Sequence, residues 1–306
     1  MSSRTSTLAP ARPHTAAWRG SAPILAASVL WGSTGTAASF APAGTSAAAI
    51  GSAGLALGGL LLYLTGRGKR LRPNASERWL LLLGAVAVAG YPVTFYPAVA
   101  RTGVAVATVI ALGSAPVFAG LLAWLTGRGT PTPRWCLATL IAVIGCALLV
   151  VGPQLATATT TIDPLGVALA LCGGLTYAVY SLIGGLLIAR GHASNSVMGT
   201  MFGLAAALAL PIVLACGPAW VLTARGAAVA LHLAVFTTFL AYRLFGYGLR
   251  HTTVETATAL TLAEPAVAAL LGVTVVGERL PLLSWSGMAV LAVGLALLTR
   301  PARARD

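Results

Sequence analysis

Apolar residues run along this chain in blocks of about 20, separated by short polar or basic segments. Ten blocks stand out, at 22–42, 46–65, 79–99, 103–126, 135–152, 165–189, 196–216, 227–249, 253–276 and 282–299. A helix of roughly 20 residues crosses about 30 Å of hydrocarbon. The blocks lack the two-residue alternation of a barrel strand, so they predict an all-α integral membrane protein with ten transmembrane helices. Two gaps, Arg101–Thr102 and Arg250–His251, are short enough to predict tight helical hairpins.

Composition agrees with this pattern. The 306 residues are 58% hydrophobic and only 8% charged, against about 25% charged in a soluble domain. The mean hydropathy is +0.89. A net charge of +13 would suit nucleic acid, but the placement of the basic residues gives a different reading. With the N-terminus inside, one side holds Arg4, Arg12, Arg19, Arg67, Lys69, Arg70, Arg72, Arg78, Arg128, Arg134, Arg190, Arg250, Arg300, Arg303 and Arg305. Only Arg101, Arg225 and Arg279 fall on the other side, and Arg243 lies within a span. Such a bias puts both termini in the cytoplasm and excludes a nucleic-acid role. Residues 1–20 and 301–306 then read as cytoplasmic tails, and 153–162 as an external linker. Cys136, Cys146, Cys172 and Cys216 show no paired spacing and read as buried, unbonded thiols, with no metal site. Trp79, Trp135 and Trp285 sit at span ends, where interface anchors are expected.

A repeat underlies the ten blocks. Arg101 and Arg250 are 149 residues apart, as are Pro116 and Pro265. Ala119, Leu121 and Leu122 match Ala268, Leu270 and Leu271 at that offset, and Gly145 matches Gly294. Trp135 and Trp285 pair with a one-residue slip, which predicts a looser register there. Two halves of five spans follow, 21–152 and 163–300. Because five is odd, the second half enters the membrane from the opposite face. Inverted repeats of this kind are the basis of alternating access around a central site.

Ionisable residues inside spans face a cavity or a partner. Here they are His232, Arg243, Glu255 and Glu264, all in the eighth and ninth blocks. From the Arg250–His251 hairpin, Glu255 is about 6 Å deep, Arg243 about 10 Å and Glu264 about 20 Å at 1.5 Å per residue. Arg243 can pair with Glu255 across the hairpin or turn to the cavity and hold a substrate carboxylate. Glu264 has three open roles: proton carrier, structural hydrogen-bond partner and substrate contact. His232, near the outer surface, reads as a snorkelling side chain or a helix contact. Pro265 removes a backbone donor beside Glu264 and makes a polar notch there; Pro116 does the same in the first half, and both are hinge candidates. Trp31, Tyr91, Tyr96, Tyr177, Tyr180 and Tyr242 are the ring-bearing candidates for a pocket wall. Gly54-Leu-Ala-Leu-Gly58 reads as close helix packing.

The stretches WGSTGTA (31–37), SAPVFAGLLAWLTG (114–127) and AEPAVAALLGVTVVGERL (263–280) resemble the drug/metabolite transporters of the EamA type. The resemblance covers about residues 22–300, and the Glu-Pro pair followed by Gly-Glu-Arg-Leu is its most specific part. It implies a ten-helix transporter whose first, third, fourth, sixth, eighth and ninth helices line a central cavity. Its members usually export amino acids or other small organic metabolites. This chain departs from the pattern at Gly127-Arg128-Gly129, where Glu is commoner, and at Ala115, which stands before Pro116.

No nucleotide-binding loop is present: Gly68-Lys69 is followed by Arg70. No hydrolase motif occurs either, so the expectation is a transporter without cofactors or catalytic residues, either a facilitator or driven by an ion gradient, in the bacterial inner membrane. Its partners are the lipid bilayer and a small-molecule substrate, and the sequence leaves room for a homodimer. Export of amino acids or their relatives comes first, efflux of drugs or amphiphiles second, and a lipid flippase of the same fold is the remaining alternative.

Overall fold

A computed structural model describes residues 13–66, 71–155 and 163–299. The tail positions 1–12 and 300–306, the basic cluster at 67–70 and most of the expected external linker, 156–162, lie outside the described residues. The described chain is helical throughout: α1 (Pro13–Ser39), α2 (Ala47–Gly66), α3 (Ala75–Leu125), α4 (Pro133–Leu155), α5 (Pro164–Ala189) and α6 (Ser194–Ala215). After a 3-10 turn at Pro218–Leu222 come α7 (Ala224–His232), a π-helical stretch (Leu233–Leu240) and α8 (Ala241–Gly248). Then follow α9 (Val254–Leu260), α10 (Ala263–Leu271), a second π stretch (Gly272–Val276) and α11 (Leu282–Thr299). Eight helical stretches among the described residues are long and apolar enough to cross a membrane.

Two boundaries differ from expectation. Helix α1 starts at Pro13, so part of the expected tail is helical. Helix α3 runs 51 residues through the expected hairpin, about 77 Å at 1.5 Å per residue, more than twice the hydrocarbon thickness. It is broken inside, because Gly103 has φ 80° and ψ 159°, a region essentially reserved for glycine. Its limbs, 75–102 and 104–125, both lie against α5: Thr94 and Phe95 of one limb and Ala111 of the other meet Gly173.

The 149-residue offset persists in the backbone. Helix α7 starts 149 residues after α3, and α11 starts 149 residues after α4. The N-caps agree too: the Asn74 side chain accepts from the Glu77 N–H, and the Thr223 hydroxyl accepts from the Gly226 N–H. Around the tryptophans, Cys136 N–H donates to the Thr132 carbonyl and Trp285 N–H to the Pro281 carbonyl. The backbone register therefore does not loosen there, and only the tryptophan moves by one position.

Mates pack head to tail. Along α4 and α11, Ala142 faces Gly294, Gly145 faces Leu291 and Leu149 faces Gly287, so numbering rises on one helix as it falls on the other. A Cβ at Gly145 would land in the Leu291 backbone, which lets the two helices approach at backbone distance. Helices α2 and α6 are likewise antiparallel, with Gly59 against Phe202 and Gly66 against Gly199.

The core holds Phe202, Phe245, Met198, Met201 and Leu187, while large apolar side chains such as Leu83, Leu125, Leu214 and Leu282 cover the outside. That inversion suits a lipid exterior. The four cysteines are free, but only Cys146 is buried; Cys136, Cys172 and Cys216 are exposed on the protein's surface. An apolar solvent makes an outward thiol acceptable, a cost that the expectation of burial had borrowed from soluble proteins. Trp79 and Trp285 are exposed as anchors should be. Trp135 instead lays its ring on Gly120 of α3, with its Nε1 buried and unpaired.

Candidate functional site: a central cavity with one acid

The π stretch in the eighth block has its cause in a neighbouring helix. A π turn is wider than an α turn, and α2 gives it room: Gly58 stands against Thr238 and the Ala234 carbonyl, and Gly54 against Leu233. The Gly54–Gly58 spacing thus packs helices, as expected. Within the stretch, the Ala241 N–H bonds to the Phe236 carbonyl, bypassing that of Thr237. The Trp31 indole N–H takes the Thr237 carbonyl instead, at 2.8 Å.

Trp31 opens the WGSTGTA segment, and each following residue faces a different neighbour. Gly32 sits against Val267 and the Glu264 carbonyl, where a Cβ would be 2.9 Å from that oxygen. The Ser33 hydroxyl lies 2.9 Å from His232 Nε2, a helix contact, which is one of the two roles expected for that histidine. Thr34 and Gly35 face a cavity of about 520 Å³, within the size range of small-molecule sites.

On the far wall, the ninth block is not one helix. Thr258 bonds back to the Val254 carbonyl, and Thr261 to the Thr258 carbonyl at 2.7 Å. Such back-bonding bends helices, and Pro265 supplies no N–H for the Thr261 carbonyl. The Glu264 N–H takes that carbonyl in a tighter turn at 3.0 Å. Helix α9 therefore ends at Leu260 and α10 begins at Ala263, with Glu264 in its first turn.

The break aims Glu264 into the cavity. Its carboxyl makes no hydrogen bond and no ion pair among the described residues, and it is the only formally charged side chain in the lining. Rings surround it. Tyr91 stacks on Phe95 with centroids 5.4 Å apart and meets Tyr177 edge-on at 6.3 Å. The Tyr177 hydroxyl donates to Thr261 Oγ1 at 2.9 Å. Tyr180 and Tyr242 bring their hydroxyls within 3.1 Å, and Tyr242 packs on Trp31 at 4.9 Å and on Phe202 at 3.9 Å. The Tyr96 hydroxyl fills the space that a side chain at Gly51 would need.

Seven of the eight sequence candidates, Trp31, Tyr91, Tyr96, Tyr177, Tyr180, Tyr242 and Glu264, therefore meet at one cavity. Arg243 does not. Its guanidinium lies 5.3 Å over the Phe239 ring, away from the lining, and it forms no ion pair with Glu255 among the described residues. Sequence depth placed Arg243 within reach of both partners, but the π stretch shifts the register of the helix that carries it. Of the two prolines, Pro265 lines the cavity beside the break, whereas the helix around Pro116 stays continuous. Helix α2, not among the expected lining helices, contributes Ala47, Ile50, Gly51, Gly54 and Leu55. Phe202 of α6 also joins the lining. The clue was the glycine content of α2, which marks close approach without saying to what.

The cavity has one closed end. Its lining runs from Trp31 and Glu264 to Ala38, Ala47, Val99 and Val104, at the end of the bundle that carries the Gly103 break. Beyond Trp31 in the other direction Gly248 meets Ile24, Gly246 meets Met198, and Gly20 meets the His251 carbonyl. At that packed end Glu77 bridges Arg190 at 3.4 Å and His192 at 3.2 Å. At the open end Arg101 pairs with Asp163 at 2.8 Å, and this hydrogen bond holds the Asp163 carboxyl below its ordinary pKa.

The chain matches the EamA-like transporter family model twice, over residues 18–151 and 164–300. It is 36% identical over 281 residues to a Bacillus subtilis protein named as the uncharacterized transporter YwfM, covering 92% of this chain and 93% of that one. An Archaeoglobus fulgidus protein, also named as a transporter, is 27% identical over 75% of this chain and 78% of its own. A solved crystal structure superposes with a TM-score of 0.75 at 22% identity, covering 93% of this chain and 98% of the other, and so shares the fold. With the family model on both halves and a transporter relative over nearly its whole length, the chain belongs to the EamA-like transporter family.

Proposed function

We propose that this membrane transporter moves a small organic solute out of the bacterial cytoplasm by alternating access across the inner membrane. In this reading α1 and the two limbs of α3 are separate spans, which brings the total to ten. Residues 21–152 and 163–300 are two five-span halves inverted about an axis in the membrane plane. The two family matches, the caps 149 residues apart and the antiparallel mates support that arrangement. Both termini are cytoplasmic, because the packed end of the bundle carries Arg72, Arg78, Arg128, Arg134, Arg190 and Arg250. The cavity then faces outward, and its closed floor is the inner gate.

One observation carries the reading: a solute-sized chamber, closed at one end, holds a single acid with no partner among the described residues. A structural carboxylate would be tied down by a neighbouring helix, since an unpaired charge at that depth is expensive. An acid left free beside a water-accessible cavity can take a proton from one side and release it to the other. We assign Glu264 that carrier role, with Pro265 as the hinge of the helix that bears it.

Reconstituted vesicles test this. Vesicles loaded at acidic pH and diluted into alkaline buffer are offered a panel of labelled metabolites and amphiphiles. The expected result is accumulation above equilibrium that a protonophore abolishes. Glu264→Gln should reduce gradient-driven accumulation by about 100-fold, a loss of about 2.7 kcal/mol of coupling. Full accumulation by that variant would overturn the carrier role. No movement of any compound by the wild-type protein, under either gradient direction, would overturn export itself.

A further inference from the structure

The charge and surface of the cavity specify what it binds. An amino acid carries a carboxylate, and a site built for one commonly supplies a cation to pair with it. This lining supplies no cation. Arg243 is turned onto Phe239 and His232 is engaged by Ser33. At the open end Arg101 is paired with Asp163, while Arg225 and Arg279 are exposed and outside the lining, where salt screens them.

Three of the lining's tyrosine hydroxyls are committed as well: Tyr177 gives its proton to Thr261, and Tyr180 and Tyr242 share one hydrogen bond. The indole N–H of Trp31 is spent on the Thr237 carbonyl. What remains in the lining is one charge, the Glu264 carboxyl, with the neutral hydroxyls of Thr34, Tyr91, Tyr96 and Thr108 among the rings of Trp31, Tyr91, Phe95, Tyr177 and Tyr242. A ring face attracts a cation within about 6 Å of its centroid and repels an anion. Carboxylate and rings therefore select the same partner.

We propose that the transported solute is a monovalent organic cation with an aromatic or similarly flat apolar body, its charge on Glu264 and its body between the rings. The proposal rests on the reading of this cavity as the transport site. It also reverses the order that the family resemblance suggested, in which amino acids come before amphiphilic cations. An amino acid entering this chamber would satisfy its ammonium at Glu264 and leave its own carboxylate without a cation to pair with.

Three probes that share one ring system and differ in charge separate these outcomes: tryptamine, tryptophan and indole-3-propionate. Binding to the purified full chain in nanodiscs is read by calorimetry, and counterflow is read in proteoliposomes. The expected order is tryptamine first, tryptophan at least about tenfold weaker, and indole-3-propionate weaker still. In Glu264→Gln the advantage of tryptamine over tryptophan should shrink to about twofold or less. Should that variant fail to fold, Tyr91→Leu serves instead: it removes a ring, keeps the acid and should weaken tryptamine about three- to tenfold. Tryptophan or the propionate binding as well as tryptamine would overturn the cation assignment while leaving the transport site intact. An unchanged charge preference in Glu264→Gln together with unchanged tryptamine binding in Tyr91→Leu would do the same. Counterflow of a zwitterion or anion that does not compete with tryptamine would sink this inference alone. Absence of both binding and counterflow for all three probes would count against the cavity as the transport site and against the cation with it.

Discussion

Ala115-Pro116 and Glu264-Pro265 occupy the same place in the two halves, 149 residues apart, yet only the second pair breaks its helix. Proline alone is therefore not what opens the backbone. The residues one and two turns earlier differ: Thr261 and Thr258 in the second half stand where the first half has Leu112 and Val109. Both threonines bond back to carbonyls of their own helix, and valine and leucine have no hydroxyl to do so. The neighbours differ too. In the first half, Gly174 of α5 lies directly against Ser114 and the Ala111 carbonyl, which braces the helix along its length. In the second half, α5 offers the Tyr177 hydroxyl to Thr261. At this place one half keeps a continuous helix, and the other is broken beside the acid.

Exchanging the residue before each proline should break the comparison most severely. Ala115 is fully buried and outside the cavity. Ala115→Glu places an unpaired charge between packed helices and should cost more than about 3 kcal/mol, read as loss of monodisperse protein or a large drop in Tm. Glu264→Ala should leave Tm equal or raised, since it removes a charge that no described residue pairs with. Equal effects at the two sites would mean that the chamber is not a distinct environment.

Removing each proline is the next test. Pro265→Ala restores an N–H that can claim the Thr261 carbonyl from Glu264, straightening the broken helix and turning the carboxyl. Turnover in vesicles should fall about tenfold, roughly 1.4 kcal/mol on the rate-limiting step. Pro116→Ala adds a donor to a helix that is already continuous, so turnover should stay within about twofold. If both variants slow transport alike, Pro116 is a hinge after all and the first half moves as the second does.

How much of this was legible follows from which interactions are local. Span length is a property of a stretch of chain, so the apolar helices and the membrane class could be read directly. Glu264 announced itself because a charge in an apolar block is conspicuous wherever it points. Arg243 was equally conspicuous, and nothing in the sequence told it apart: its direction depends on a π stretch, which in turn depends on glycines of α2 some 180 residues earlier in the chain. The lining role of Gly51 was hidden for the same reason, because the space above it is filled by Tyr96 from another helix. Whether a helix at Pro116 or Pro265 would break was legible in principle from the threonines, which are local, but the two prolines were weighed without them.

The finest test asks whether the break is held from inside its own helix or from α5. Tyr177→Phe deletes the bond to Thr261 Oγ1 and nothing else in the lining. Thr261 still donates to the Thr258 carbonyl, and Pro265 still withholds its nitrogen. One neutral hydrogen bond is worth about 1 kcal/mol, so Tm should drop by a few degrees while turnover stays near wild type. Thr261→Val removes the donor to Thr258 as well as the acceptor for Tyr177, and should lower turnover toward that of Pro265→Ala. The reverse order, with Tyr177→Phe slowing transport and Thr261→Val sparing it, would mean that α5 holds the helix bent. The two halves would then differ through their shared neighbour, with the threonines of α9 as bystanders.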